Sequence, residues 1–190
     1  MFKPLRHTCS RAIALACILA CLPATAIAAE TSTGGASPDD PRYAPAKRAK
    51  IINGYAIPPK SAPRRVKKAI EAANEIVNKP YKYGGGHASV EDRGYDCSGT
   101  VSYALIGARL LKGPLDSGSF MSWAQKGKGK WISVYAHGGH AYAVIAGLRL
   151  DTGMRDPNGE RYGMKSGSGP RWNKTMRDPS GYRVRHPGSF

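Results

Sequence analysis

The stretch from residue 64 to 78, RRVKKAIEAANEIVN, has an apolar residue at every third or fourth position, with charged and polar residues between them. This spacing places the apolar side chains on one face of an α-helix. The predicted buried face consists of Val66, Ala69, Ile70, Ala73, Ile76 and Val77. Lys79 and Pro80 end the predicted helix, because the residue before a proline is disfavoured in the α conformation.

A second helix is predicted directly after Cys97, in the stretch SGTVSYALIGARLL. Its apolar stripe consists of Val101, Ala104, Leu105, Ala108 and Leu111. Four short runs follow, KWISVYA, HAYAVIAG, LRLDT and GYRVRH, and turn residues separate them. Such runs are typical of antiparallel strands. Helices first and strands afterwards predict an α+β fold.

Residues 1–29 have the order of an export signal. MFKPLRHTCSR supplies a positive start, AIALACILACLP is a short apolar run, and ATAIAAE ends in small residues, so cleavage is expected after Ala28 or Ala29. The apolar run is shorter than the roughly 20 residues that cross a bilayer, and Pro23 ends it, so no membrane span is expected. A lipoprotein signal acylated at Cys21 is the alternative.

Residues 30–63 are rich in Pro, Ala and Lys and have no sustained period of 3.6 or 2. This composition predicts a disordered linker or tail. The segment would act either as a spacer or as a pro-segment that covers a cleft. The folded domain is expected to cover residues 64–190.

Removal of the signal leaves 26 basic and 13 acidic residues, a formal charge of +13. Such a balance indicates a polyanionic partner. An exported protein meets anionic cell-wall polymers and phosphorylated outer lipids before any nucleic acid, so no nucleic-acid partner is expected. A solvated basic surface without a partner stays open as the other interpretation.

The chain has four cysteines, and Cys9, Cys17 and Cys21 lie in the predicted signal. Cys97 therefore has no partner for a disulfide in an exported protein. Its predicted place at a helix N-terminus favours a nucleophilic thiolate. Ser98 can cap that helix, and Gly99 allows close approach of a backbone or ligand. An inert buried thiol is the alternative.

A thiolate nucleophile needs a base, usually an imidazole. His140 begins the apolar strand HAYAVIAG directly after a turn, so it can be aimed into a cleft. His87 lies in a glycine loop and His137 in a turn, and both are expected at the surface. His186 is expected at the end of an edge strand. His140 is therefore the candidate base.

Three motifs in order, KPYKYGGG, GYDCSG and GGHAYAVIAG, resemble the NlpC-type family of bacterial cell-wall peptidases, which are papain-like cysteine enzymes. The resemblance covers roughly residues 65–152. It implies a papain-like catalytic domain over residues 64–190, with Cys97 as nucleophile and His140 as base. A third polar residue about a dozen positions after the histidine would orient the imidazole, and Asp151 or Thr152 lies there.

The same resemblance implies the residues that bind substrate. The hydroxyl of Tyr81 would face the substrate or the developing oxyanion, and the backbone N–H of Cys97 would contribute to the oxyanion hole. Asp96 would bind the free amine of a stem peptide or act as the helix N-cap. Ser98 adjoins the nucleophile, and Ser117 holds the place of a groove-lining residue.

Period two favours Asp151 over Thr152 as the third residue. In LRLDT, Asp151 shares one face with Arg149, and Thr152 shares the other with Leu148 and Leu150. Alternate residues of a strand point to opposite faces. If the leucines face the core, Asp151 points toward the cleft rim. A surface ion pair with Arg149 or Arg155 is the alternative interpretation.

The sequence thus predicts an exported cysteine peptidase, located in the periplasm or the extracellular envelope, that hydrolyses an amide bond in peptidoglycan stem peptides. No metal or cofactor is expected, since no cluster has ligand spacing. An acyltransferase or lipid-amide hydrolase of a related thiol fold is one alternative. A non-catalytic basic module that binds the cell wall is another. The long glycine- and arginine-rich tail after Thr152 is interpreted as a solvated excursion before a last strand, or as a basic substrate-binding loop.

Overall fold

The computed structural model describes residues 48–153 and 168–188. Helices precede the main sheet along this part of the chain, which confirms the predicted α+β architecture. The helices are α1 (Arg64–Ile76), α2 (Cys97–Gly107) and α3 (Ser117–Phe120). The strands are β1 (Lys50–Ile52), β2 (Tyr55–Ile57), β3 (Gln125–Lys126), β4 (Ile132–His137), β5 (His140–Ile145), β6 (Leu148–Asp151), β7 (Arg171–Asn173) and β8 (Arg183–His186). No helix among the described residues is long and apolar enough to span a bilayer.

The helices α1 and α2 pack against each other and form one layer of the core. All six residues of the predicted α1 face are buried, as the periodicity predicted. Gly107 of α2 lies so close to α1 that a Cβ atom there would come within 2.4 Å of the Ala72 Cβ atom. The eight consecutive residues from Ser98 to Leu105 are buried, so α2 is enclosed rather than amphipathic.

Within residues 48–153 and 168–188, the main sheet has six strands in the order β3-β8-β4-β5-β6-β7, and all of their pairs are antiparallel. Ala146 and Gly147 connect β5 to β6 and have φ angles of 47° and 78°. Two left-handed residues are the requirement of a type I′ turn, the tight connection that matches strand twist. This turn fixes the register in which Val144 lies opposite Arg149.

The structure differs from the predicted linker over residues 48–63, which form a hairpin packed on the core. Ala49, Ala56 and Ala62 are buried. The side chain of Asn74 in α1 accepts a hydrogen bond from Ala56 N at 3.0 Å and donates one to Ala56 O at 2.9 Å. The domain boundary therefore lies at or before residue 48, not at 64. Residues 30–47, like the predicted signal at 1–29, lie outside the described residues.

Two further strands were not predicted. The two-residue β3 and the three-residue β7 are too short to show a period. Because β3 pairs with β8, His186 ends an inner strand and not the predicted edge strand. The tail after Thr152 contributes β7 to the sheet, and its residues 154–167, including Arg155, lie outside the described residues.

Candidate active site

Cys97 is the first residue of α2 and is partly buried. The N-cap is Asp96, whose Oδ1 atom accepts a hydrogen bond from Gly99 N at 2.7 Å. Asp96, and not Ser98, is therefore the N-cap of α2. The cap leaves the N–H groups of Cys97 and Ser98 without an acceptor in the helix, since the first turn has no preceding carbonyls. A positive helix end therefore faces the thiol.

His140 begins β5 and is oriented by Asp151 at the end of β6. Its Nε2 atom lies 2.9 Å from Asp151 Oδ1. A carboxylate only accepts, so Nε2 carries a proton in this contact. The Cys97 side chain is also close enough to His140 to raise the pKa of the imidazole. Because Nε2 is engaged, Nδ1 is the ring nitrogen left to receive the thiol proton. The structure therefore brings together all three residues of the predicted site.

The strand register explains why Asp151 and not Thr152 meets the histidine. Ala143 lies opposite Leu150, and continuing this register places Asp151 opposite Tyr142. Tyr142 shares its sheet face with His140, because the two are two residues apart. Thr152 points to the other face, where its Oγ1 atom is buried without a hydrogen-bond partner among the described residues. Asp151 is itself buried, deeper than the cleft rim that the sequence predicted.

The electrostatics of the pair favour a charged histidine. Burial is the largest influence and lowers the pKa of His140, but the hydrogen bonds and negative charges of Asp151 and Cys97 raise it to about 9. For Asp151, burial raises the pKa. The hydrogen bond and charge of His140, the Gly153 N–H group and the charge of Arg149 outweigh this and hold the pKa below its usual range. A carboxylate beside an imidazolium is the form that results.

Two arginines surround Asp151. Arg149 lies on the same strand, with its Nε atom 3.4 Å from Asp151 Oδ2. The ion pair of the alternative interpretation therefore forms, but it is buried and does not lie on the surface. Arg177 approaches from the tail, with Nη1 3.0 Å from the same oxygen. The sequence analysis missed Arg177, because it lies 26 residues beyond Asp151 in a stretch without a recognisable motif. Asp151 thus contacts both His140 and these two cations.

A second histidine lies on the other side of the α2 N-terminus. The Nε2 atom of His87 is 3.0 Å from Asp96 Oδ1 and 3.2 Å from Ser98 Oγ. His87 is partly buried, so its prediction as a surface residue is wrong. The hydroxyl of Ser98 is itself 3.2 Å from Asp96 Oδ1, and Gly84 N donates to Asp96 Oδ2 at 3.1 Å. Four protein groups therefore lie within hydrogen-bond distance of the Asp96 carboxylate, three at Oδ1 and one at Oδ2.

The remaining predicted site residues lie at the edge of this arrangement. Tyr81 is exposed as a whole residue. Partial burial of its hydroxyl and the nearby charges of Cys97 and Asp96 raise the pKa of that hydroxyl. Ser117 begins α3, and its Oγ atom donates to Gly138 O at 3.4 Å, next to the turn that precedes His140. His137 ends β4 and is partly buried, so its prediction as a surface residue in a turn is also wrong, and its ring lies 6.3 Å from the ring of His140. Among the described residues, no group of three or more His, Cys, Asp or Glu side chains could hold a metal ion.

No family model and no curated protein matches the chain. Three solved structures align with it. One is a hypothetical invasion protein of Mycobacterium tuberculosis, with 21% identity, a TM-score of 0.44, and 78% of this chain and 74% of that chain covered. The other two are variants of the Resuscitation Promoting Factor Interacting protein RipA.

The RipA variant mutated at a histidine aligns with 20% identity and a TM-score of 0.46, over 80% of this chain and 74% of that chain. The variant mutated at a cysteine aligns with 21% identity and a TM-score of 0.45, over 79% and 74%. Alignments at this level leave the activity to be argued from the chain's own site.

Proposed function

We propose that this protein is an exported cysteine endopeptidase that hydrolyses an amide bond in peptidoglycan stem peptides. The observation that carries the proposal is that His140 contacts Asp151 and that its pKa is raised by the nearby Cys97, whose thiol lies at a helix N-terminus. The resemblance of the motifs KPYKYGGG, GYDCSG and GGHAYAVIAG to the NlpC-type family supports the substrate class. The formal charge of +13 that remains without residues 1–29 suits an anionic envelope polymer.

The first half of the reaction forms an acyl-enzyme. The Cys97 thiol gives its proton to His140 Nδ1, and the thiolate attacks the amide carbonyl carbon. The π electrons of the carbonyl move to its oxygen. Asp151 accepts the Nε2–H hydrogen bond and stabilises the imidazolium that forms. Collapse of the intermediate breaks the C–N bond, and the imidazolium proton passes to the leaving amine.

The second half releases the acid product. Neutral His140 takes a proton from a water molecule, and the resulting hydroxide attacks the thioester carbonyl. Collapse breaks the C–S bond, and the thiolate leaves with His140 again protonated. The reaction ends with a Cys97 thiolate and a protonated His140, the pair from which the next attack starts, and no step changes an oxidation state.

The oxyanion is stabilised at the start of α2. The backbone N–H of Cys97 has no acceptor in the helix and is free to donate to the developing charge. Tyr81 contributes its hydroxyl near the thiol, where the charge of Cys97 already influences its pKa. Ser98 and Ser117 flank the cleft. Asp96 Oδ2, which accepts one hydrogen bond from Gly84 N, is the atom to which a free amine of the stem peptide would bind.

The test uses the exported protein with purified muropeptides, whose products are identified by mass. A cut within the stem peptide is the expected result. Loss of the whole stem from the sugar indicates an amidase instead, and unchanged fragments together with retention on purified wall indicate the non-catalytic binding module. Cys97→Ser is the matched control, because it changes one atom and is expected to abolish cleavage while the protein stays folded.

Export is tested separately by sequencing the N-terminus of the protein recovered from the periplasm or medium. The proposal expects Ala29 or Glu30 at the start, since small residues precede both positions. Recovery with Met1 in place, or with a lipid on Cys21, contradicts the assignment of residues 1–29.

A further inference from the structure

Arg177 lies in the segment between β7 and β8 and reaches the centre of the candidate active site. Its Nη1 atom is 3.0 Å from Asp151 Oδ2 and 3.1 Å from His140 Nε2. Its guanidinium carbon lies 5.9 Å from the Tyr142 ring centroid. The side chain is only 15% exposed. Arg177 is therefore a mostly buried cation in contact with both His140 and Asp151, and its role is more than a contribution to surface charge.

His140 Nε2 cannot bond to both neighbours at once. Its single in-plane position either carries a proton, which it donates to Asp151, or a lone pair, which accepts from Arg177. A lone pair facing the Asp151 carboxylate at 2.9 Å would be repulsive, so the proton lies on Nε2. Arg177 then donates to Asp151 Oδ2 and approaches His140 only as a like charge.

We propose that Arg177 is a positioning residue that fixes the Asp151 carboxylate against His140 and lowers the affinity of the imidazole for its second proton. Two hydrogen bonds hold the carboxylate in addition to its contacts with His140 and Arg149. Gly153 N donates to Oδ1 at 2.7 Å, and Arg177 donates to Oδ2. The effect on the proton is electrostatic, because a fixed positive charge disfavours a second one nearby.

This opposing charge has a catalytic consequence, which rests on the proposed function. A buried carboxylate alone would make the imidazolium so stable that His140 kept its proton and could not activate water. General bases work best with a pKa near the operating pH. Arg177 therefore keeps His140 able to exchange its proton in both halves of the reaction.

Gly153 makes the approach of Arg177 possible. A Cβ atom at residue 153 would lie 2.5 Å from Arg177 Nη1 and 2.6 Å from His140 Cε1. Real Cβ atoms do not come this close to other heavy atoms, so any larger residue would separate the arginine from the histidine. The same crowding shows that the two side chains are packed in contact.

Other groups also face His140, and the experiment must separate them from Arg177. The nearby titratable or charged side chains are Cys97 from α2, His137 from β4, Tyr142 from β5, Arg149 and Asp151 from β6, and Tyr182 from the segment before β8. The pKa of His137 is lowered by burial and by the charges of His140 and Arg177. Cys97 is the strongest confounder, because two coupled groups titrate as a pair.

The test titrates the His140 imidazole by NMR in the mature protein carrying Cys97→Ala, which removes that coupling. Arg177→Gln keeps hydrogen-bond donors but removes the charge, and it is expected to raise the His140 midpoint by about one pH unit. Arg177→Lys keeps the charge and is expected to stay close to the parent midpoint. Lys174→Gln is the matched control, because it removes one charge from an exposed position three residues away.

An unchanged or lowered midpoint in folded Arg177→Gln overturns the inference. If Arg177→Gln does not fold, Arg177→Met is titrated instead, with the same expected rise of the His140 midpoint. A His140 midpoint in Arg177→Lys far above that of the parent also contradicts the inference. In the protein that keeps Cys97, kcat/KM on muropeptides is expected to fall at high pH. The pH of this fall should be higher in Arg177→Gln than in the parent. A midpoint shift without muropeptide cleavage would contradict the proposed function alone, and cleavage without a shift would contradict the inference alone.

Discussion

Two histidine–aspartate pairs flank the start of α2, and their hydrogen bonds are almost equally long. His140 and Asp151 are 2.9 Å apart, and His87 and Asp96 are 3.0 Å apart. Their surroundings differ. The side chains of the first pair are 15% and 1% exposed, and those of the second are 26% and 11% exposed. Hydrogen-bond length therefore does not distinguish the pair proposed to be catalytic from the pair at the helix cap.

The difference lies in what else each aspartate and histidine contacts. The nearby Cys97 side chain raises the pKa of His140, and Asp151 is balanced by two arginines. Asp96 is instead used by the backbone, since it caps α2 through Gly99 and accepts from Gly84. The surroundings of the first pair suit the proton transfer proposed for it. The second pair holds the glycine loop on the helix that carries the thiol.

The largest effect that separates the pairs is expected from removing each histidine. His140→Ala should lower kcat/KM on muropeptides by about 1000-fold, on the scale of losing a positioned general base. His87→Ala should lower it by less than about 10-fold, because His87 contacts the cap and not the transferred proton. Iodoacetamide labelling of Cys97 is expected to slow in the first variant and not in the second. Equal losses of activity in His140→Ala and His87→Ala would contradict the different roles assigned to the two pairs.

The aspartates should separate next. Asp151→Asn is expected to lower turnover by about 10-fold or more, because the amide cannot stabilise the imidazolium as a carboxylate does. It is also expected to lower the melting temperature, since two arginines lose their buried counter-charge. The measurement is steady-state kinetics alongside thermal unfolding. Thr152→Val is the matched control, since its hydroxyl has no partner to lose among the described residues. Impaired Thr152→Val with normal Asp151→Asn would assign the third place to Thr152.

Glycines beside the two pairs should differ in what their replacement damages. Gly153→Ala is expected to lower turnover about 10-fold by displacing His140 or Arg177, with the protein still folded. Gly99→Ala is expected to destabilise the fold, since its Cβ would lie 2.0 Å from the Gly85 carbonyl oxygen. Thermal unfolding and kinetics together distinguish these outcomes. Gly139→Ala is the control, because its Cβ would lie 3.6 Å from the nearest His137 atom, an ordinary contact. Full activity in Gly153→Ala would contradict the packing described.

The smallest expected effect is on stability as a function of pH. The pKa of His140 is about 9 in the folded protein, against about 6.5 for an unfolded histidine. A raised pKa gives stability that is complete below pH 6.5 and is lost as pH rises through 9. The unfolding free energy of the parent relative to His140→Gln should therefore fall by roughly 1 to 3 kcal/mol between pH 6 and pH 10. Urea unfolding at several pH values, under reducing conditions, measures it. A difference that grows with pH would contradict the assignment.

Much of the candidate site followed from local patterns. The 3.6 period located both helices, and the position of Cys97 at the start of α2 followed from the apolar stripe behind it. Period two on LRLDT distinguished Asp151 from Thr152, because alternate side chains of a strand point to opposite faces. The predicted catalytic role of Cys97, His140 and Asp151 stays a prediction until activity is measured.

Two further features of the sequence indicate structure that the predictions did not include. The linker prediction overlooked Asn53 and Gly54, whose φ angles of 50° and 85° make the turn of the β1–β2 hairpin. An Asn-Gly pair between apolar residues is a strong hairpin signal. His87 could have been connected to the cap from its place in the glycine loop. Its partner Asp96 lies nine residues away, however, and only the folding of the loop brings them together.

The sequence by itself determined which residues lie on one face of a helix or strand, since that depends on the periodicity of neighbouring residues. It therefore determined the order of helices and strands and the sheet face of Asp151. Only the tertiary structure decided that Arg177 contacts His140 across 37 residues of sequence and that Asp151 is buried between cations. Such contacts depend on how β5, β6 and the segment before β8 come together in the fold, and no local period encodes that arrangement.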